Sequence, residues 1–224
     1  MSDPHVSPRR IFIAGGTGYL GAGLIPQLIQ RGHEVSALVR PESAQKLPQG
    51  CRAVMGNALD RSTFDREVKG ADTFVQLVGV PKPSPWKGAQ FRAIDLVSAC
   101  ASLDAAKAAA VNHFVYVSVA HPAPIMKAYI DVRTGCEAVI RTSHLRATFL
   151  RPWYILGPGH WWPLGLVPVY WFLSRIPSFR EPALRLGLVT VNQMLKALVW
   201  AIEHPPSELR VIDVPEIRRL ARTA

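Results

Sequence analysis

Ile11-Phe12-Ile13-Ala14-Gly15-Gly16-Thr17-Gly18-Tyr19-Leu20-Gly21 reads as a short buried strand, a glycine-rich turn and the start of a helix. Gly15, Gly18 and Gly21 stand three apart, as Gly-x-x-Gly-x-x-Gly. That spacing suits a pyrophosphate. One glycine permits the tight turn, another lets backbone approach the phosphates, and the third lets the helix pack closely on its strand. The helix start adds free N–H groups and positive dipole. Plain turns also use glycine, so the argument rests on context. Four apolar residues precede the triplet and an amphipathic pattern follows it.

Working outward, Leu20, Leu24, Ile25, Leu28 and Ile29 share one helical face, and Gly32 is placed to cap the helix end. Pro26 falls inside this helix and predicts a kink rather than a break, since the apolar face runs through it. Further strands are expected at Val35–Val39, Arg52–Gly56, Thr73–Val78, His113–Val119 and Ala147–Leu150. Helices are expected near Arg61–Val68, from Gly88 to Ala110 and over Ala128–Thr142. The loop Gly79–Lys87 is too rich in proline for regular structure. Later in the chain, Gly187–Val191 and Leu209–Val214 read as strands flanking a helix over Val191–Glu203.

Strands alternating with helices at this pace predict an α/β fold, a doubly wound parallel sheet of Rossmann type. Ligands of such sheets bind at the carboxyl ends of the strands. The glycine turn, Arg40, Asn57, Val78-Gly79 and Ser118 all fall at expected strand ends, so they should gather on one edge. The expected organisation is a dinucleotide-binding domain over 1–152. Residues 153–224 form a small C-terminal lid or substrate region that completes the same domain.

Composition narrows the classes. Of 224 residues, 49% are hydrophobic and 19% charged, which describes a globular chain rather than a disordered one. The formal charge is +10, but it is spread: 13 basic against 9 acidic residues over 1–112, and 13 against 7 over 113–224. No more than two basic residues adjoin and no recognition motif accompanies them, so nucleic acid is not an expected partner. Cys51, Cys100 and Cys136 form no Cys-x-x-Cys pair, and His113 and His121 lack partners at ligand spacing, so no metal is expected. The first ten residues lack the pattern of a secretory signal, and a cytoplasmic location is expected. Trp161–Leu173 is uncharged and apolar but too short to span a bilayer. It reads as a lid, with residues 161–176 as an alternative contact for a membrane surface or protein partner.

Ala14–Gly21, Arg31-Gly32-His33-Glu34-Val35 and Leu38-Val39-Arg40 together resemble the atypical short-chain dehydrogenase/reductases. More narrowly, the chain is similar to the NmrA-like and complex I 39-kDa-subunit-like NAD(P)-binding proteins, from about Arg10 to Trp153. The resemblance implies cofactor contacts from Gly15, Thr17, Gly18, Tyr19, Leu20 and Gly21 in the turn. It also implies contacts from Arg40, Asn57, Ala58, Leu77, Val78 and Gly79 at later strand ends. Arg40, nineteen residues past Gly21, stands where an acid would bond the ribose of NAD. An arginine there favours the 2′-phosphate, so NADP(H) is preferred and NAD(H) is the alternative.

The family's Tyr-x-x-x-Lys pair corresponds here to Tyr129-x-x-x-Arg133, with Ser118 near the position of its polarising serine and Asp95 where extended members carry Asn. Tyr129, Arg133 and Ser118 are therefore the candidate catalytic residues. The resemblance implies an NADP(H)-dependent oxidoreductase acting on a small carbonyl or quinone-like substrate. Arginine is not a steric equivalent of lysine. The competing reading is accordingly a non-catalytic dinucleotide-binding redox sensor or scaffold subunit. An epimerase or dehydratase fits less well, since the C-terminal portion of about seventy residues is short for a sugar-nucleotide pocket.

Overall fold

A strand buried on both faces must be apolar at every position, because its side chains alternate between two cores. β1 (Arg10–Ala14) does this: Ile11 and Ile13 enter one hydrophobic cluster, Phe12 and Ala14 the other. The computed structural model describes residues 7–123, 125–159, 165, 175, 181 and 184–223. The expected lid at Trp161–Leu173 lies outside the described residues, apart from Gly165.

Six further strands join β1: β2 (Glu34–Val39), β3 (Arg52–Met55), β4 (Thr73–Gln76), β5 (His113–Val117), β6 (Ala147–Leu150) and β9 (Leu209–Ile212). They form one seven-stranded parallel sheet in the order β3-β2-β1-β4-β5-β6-β9. The doubly wound α/β fold expected from the sequence is therefore the fold observed. A separate parallel pair, β7 (Tyr154–Leu156) with β8 (Leu188–Thr190), follows β6 in the chain.

Each face of the sheet is covered by helices with matching apolar stripes. One face takes α1 (Gly21–Gln30), α4 (Val191–Glu203) and α5 (Val214–Thr223) around Ile11, Ile13, Val75, Val115 and Leu150. The other takes α2 (Val97–Ala108) and α3 (Lys127–Thr142). On that side Phe12, Phe74 and Phe114 line up across β1, β4 and β5, with ring centroids 5.2 and 5.4 Å apart. Each fully buried ring contributes about 1.5–3 kcal/mol.

α1 does run unbroken across Pro26, as its continuous apolar face led one to expect. Several boundaries differ from the sequence expectation. The expected helix 88–110 contains a π-helical segment, Phe91–Leu96, between a short turn Gly88–Gln90 and α2. The wider turn buries Phe91 and Asp95 together on the inward side. The stretch 61–68 is two 3₁₀ turns, Arg61–Thr63 and Asp65–Val68, rather than a helix. β7 and α5 were not anticipated. In α5 the inward residues Val214, Ile217 and Leu220 are outnumbered by charged neighbours, which masks the stripe.

Buried histidines serve the frame. His113 is fully buried beside Thr148, 2.9 Å from its hydroxyl. Burial, helped by Arg9, Arg210 and Arg146, lowers its pKa to about 3, so it stays neutral. At the opposite sheet edge from the glycine turn, a cleft of about 480 Å³ is lined by Arg10, His33, Glu34, Arg52 and Lys69. It sits at the amino ends of the strands, away from the residues singled out for chemistry.

Candidate cofactor and catalytic site

Because all seven strands run the same way, every loop that leaves a carboxyl end emerges on one edge. The strand order reverses between β1 and β4, which opens a crevice there. The glycine turn fills the β1 side of that crevice and Leu77-Val78-Gly79 the β4 side. A Cβ on Gly15 would stand 2.9 Å from the Leu77 carbonyl carbon and 3.0 Å from the Val78 nitrogen. Gly15 also adopts φ +92°, open chiefly to glycine.

The helix side of the turn is tighter still. A Cβ on Gly21 would lie 2.4 Å from the Gly15 oxygen and 2.6 Å from the Gly16 Cα. Gly18 donates its N–H to Gly15 O at 3.0 Å and receives Ala22 N–H at 3.0 Å, closing the turn into α1. Leu20 holds the N-cap position, so no side chain caps the helix and no acid occupies its first turn. Ala22 and Gly23 donate their N–H groups to Gly18 O and Leu20 O, and no side chain caps the start of α1, which leaves its open end to an anion. The cradle fits a dinucleotide's phosphates. Tyr19 sits beside it, its hydroxyl occupying the place where a Cβ on Gly157 would fall.

The adenosine-side residues stand at the ends of β2 and β3. Arg40 follows β2, largely exposed, with Nε 3.3 Å from Glu42 Oε1. Asn57 follows Gly56, whose N–H donates to Val39 O at 3.1 Å. The Asn57 amide oxygen accepts the Leu59 N–H at 3.0 Å, folding the backbone around the half-buried Ala58. One lone pair of that oxygen is thus spent locally, and Thr63 Oγ1 accepts the Asn57 N–H at 2.9 Å.

The three catalytic candidates share the same edge but differ in surroundings. Tyr129 lies in the first turn of α3, its ring centroid 4.9 Å from that of Phe91. Arg133 reaches inward from the next turn. Its guanidinium sits 2.6 Å from Asp95 Oδ1, donates to Val117 O at 2.8 Å and to Tyr116 Oη at 3.3 Å, and stacks 5.2 Å from the Tyr129 ring centre. A Cβ on Gly79 would fall 2.3 Å from Arg133 Nη2, so only glycine leaves room for this reach. Burial pushes the Asp95 carboxyl up, while Arg133 and the Val80 N–H, which donates to Asp95 at 3.0 Å, pull against it. Burial also opposes the Arg133 charge, but Tyr116, Tyr129 and Asp95 reverse that and its pKa is raised. Protein groups thus engage the guanidinium through Nη1 and Nη2, while its buried Nε has no hydrogen-bond partner among the described residues.

Ser118 is buried at the end of β5, its N–H donating to Leu150 O at 2.8 Å. Its hydroxyl lies by the buried carboxylate of Glu137, which the sequence reading did not single out. Arg151 donates to Glu137 Oε1 from Nε at 2.9 Å and makes a second contact through Nη2, while His121 Nε2 stands 3.6 Å away. Burial would raise the Glu137 pKa, but the Arg151 hydrogen bond and charge lower it overall. The available signal was spacing: Arg133 and Glu137 stand four apart on α3, on the face that also carries Ile130 and Ile140. Charges on an apolar helix face need buried partners.

A family model described as NAD(P)H-binding matches residues 15–158. The chain is 26% identical to a ceramide reductase of Caulobacter vibrioides over 211 residues, covering 93% of this chain and 65% of that protein. It is 32% identical over 111 residues to a 4-hydroxy-2-methyl-3-oxo-4-farnesyl-3,4-dihydroquinoline-1-oxide ketoreductase of Stigmatella aurantiaca, covering 49% of this chain and 33% of that one. The chain thus spans less than two thirds of either relative. In structure it is similar to a short-chain dehydrogenase/reductase superfamily protein from Agrobacterium tumefaciens with bound NAD. The TM-score is 0.67 at 16% identity, covering 91% of this chain and 76% of that one.

Proposed function

The chain belongs to the NAD(P)H-binding family, and from that premise we propose that it is an NADP(H)-dependent oxidoreductase acting on a small carbonyl or quinone-like substrate. The observation that carries this reading is the glycine turn, which admits no Cβ at Gly15 or Gly21 and presents an uncapped helix start to an anion. The relatives named as a ceramide reductase and a farnesyl-dihydroquinoline ketoreductase support the reaction class. They favour a carbonyl compound with a substantial apolar part.

A bound nicotinamide would supply hydride to the carbonyl carbon. Tyr129 would supply the proton to the oxygen, Arg133 would hold the Tyr129 ring in place, and Ser118 would orient the carbonyl. Arg40 would turn from Glu42 to the 2′-phosphate, and Asn57, Ala58, Leu77, Val78 and Gly79 would line the cofactor's path. Residues 1–152 would bind the cofactor and 153–224 would cover the substrate. The stretch 161–176, mostly outside the described residues, would supply that cover or touch a membrane on the strength of its apolar sequence.

A second reading, a non-catalytic dinucleotide binder, rests on one observation. The cation four residues past Tyr129 is already engaged by Asp95 and Val117 O, so it is not held ready for a ribose. Two variants test the proposal, the first its cofactor and the second its chemistry. Arg40→Ser should weaken NADPH binding about tenfold and leave NADH binding unchanged, measured by quenching of tryptophan fluorescence. Tyr129→Phe should lower substrate-dependent NADPH oxidation about a hundredfold without changing NADPH binding. Unchanged turnover in Tyr129→Phe removes Tyr129 from the chemistry. Cofactor binding with no turnover across carbonyl and quinone substrates establishes the second reading. Among the described residues, no helix is long and apolar enough to cross a membrane.

A further inference from the structure

Two loops at the carboxyl edge present apolar side chains outward instead of packing them. Trp86, in the proline-rich loop after β4, is 89% exposed, and Ile125, in the loop after β5, is 51% exposed. Buried tryptophan is the ordinary outcome in a water-soluble fold, so an indole held in solvent asks for a partner. The loop that carries it is fixed. Lys87 Nζ donates to Pro81 O at 2.8 Å and to Lys82 O at 3.0 Å, and Pro81, Pro83 and Pro85 restrict the backbone between. The turn Pro85–Lys87 packs against α3, and just beyond it a Cβ on Gly88 would meet that of Ala128 at 3.4 Å.

Along the chain the charge these two loops carry has one sign, and the Glu181 carboxylate that approaches the second loop is paired with Arg185, which donates to Pro122 O at 3.3 Å. From Leu77 to Ile94 there is no Asp or Glu, and Lys82, Lys87 and Arg92 are present. From Ser118 to Ile130 there is again none, and Lys127 is exposed. The first acids beyond are Asp95, buried against Arg133, and Asp131, one turn along α3. An outward indole and an outward isoleucine, on segments that also carry the exposed cations Lys82, Arg92 and Lys127, match the interface of a membrane carrying anionic lipid. Indoles settle there at headgroup depth, and each nearby cation gains from the negative surface. An acidic protein surface would match the cations but offers no reason for an outward tryptophan on a rigid loop.

We propose that the Trp86 and Ile125 loops dock this protein on an anionic lipid bilayer, with Lys82, Arg92 and Lys127 against the lipid phosphates. The carboxyl edge, with its crevice, then faces the membrane, so an apolar substrate reaches it from the lipid rather than through water. The inference goes beyond the reductase reading, because vesicle binding requires neither cofactor nor turnover.

The test is co-sedimentation of the whole chain with phosphatidylcholine vesicles, with and without phosphatidylglycerol, at low and high salt. The chain should bind the anionic vesicles, and bind pure phosphatidylcholine or high-salt samples at least about tenfold more weakly. Trp86→Ser/Ile125→Ser should lower anionic-vesicle binding at least about tenfold, and Lys82→Glu/Lys127→Glu similarly. Both double variants should bind NADPH as the parent does, which shows that they are folded. Docking at this edge is overturned if the parent chain ignores anionic vesicles or if Trp86→Ser/Ile125→Ser binds them undiminished. Loss of binding only when Trp161 and Trp162 are replaced overturns it as well. A self-associated parent that Trp86→Ser/Ile125→Ser renders monomeric, by sedimentation velocity, assigns the patch to a second copy instead.

Discussion

Gly21→Ala is expected to weaken NAD(P)H binding at least about a thousandfold, a loss of about 4 kcal/mol. The added methyl would stand 2.4 Å from Gly15 O and 2.6 Å from Gly16 Cα and O. All three atoms are backbone of the same turn, so no side chain can swing aside to make room. The turn itself must move, and with it the start of α1, which in the proposed complex would face the phosphates. Gly18→Ala is the graded comparison. Its methyl meets Gly15 O at 3.2 Å, a few tenths of an ångström too close, so the loss should be smaller. Fluorescence titration with NADPH, beside a thermal melt to show that each variant folds, checks both. Binding of Gly21→Ala within threefold of the parent would contradict the phosphate cradle.

Asp95→Ala is expected to destabilise the fold by about 3–5 kcal/mol, because it leaves the buried Arg133 guanidinium without its carboxylate. The Val80 N–H loses its acceptor in the same step, which loosens the start of the loop that carries Trp86. A neutral replacement of both partners, Asp95→Leu/Arg133→Met, should recover most of that loss, since it removes the stranded charge with the pair. Urea unfolding at neutral pH measures all three chains. An Asp95→Ala chain within about 1 kcal/mol of the parent would show that the pair does not carry the packing of α3 against the sheet. The pair also bears on chemistry, because it fixes Arg133 beneath Tyr129 at 5.2 Å from the ring centre.

Much of the fold was legible because its signals are local. The apolar runs at Ile11–Ala14 and His113–Val117 carry their own evidence of two-sided burial, and the glycine spacing marks the turn between β1 and α1. The helix Val191–Glu203 was legible from its apolar stripe of Met194, Leu195, Leu198 and Ile202, and the structure adds a reciprocal cap between Thr190 and Gln193 at its start. Weaker elements were hidden for equally local reasons. β7 has three residues, too few to show alternation, and α5 carries its apolar stripe under a crowd of arginines.

The candidate site divides in the same way. The sequence alone was enough for the glycine turn, the doubly wound sheet and the edge on which Arg40, Asn57, Gly79 and Ser118 gather. Each follows from spacing along the chain or from the common direction of parallel strands. What those side chains meet is set by packing in three dimensions. Asp95 and Arg133 are thirty-eight residues apart, and Arg151 and Glu137 fourteen, so each pairing depends on how helices pack over the sheet. The outward turn of Trp86 was equally unreadable, since composition favours burying a tryptophan and only the packed loop shows it exposed. Period and spacing encode the frame of a fold. The partner of a buried charge is set by the close packing of segments distant in sequence, which no local pattern records.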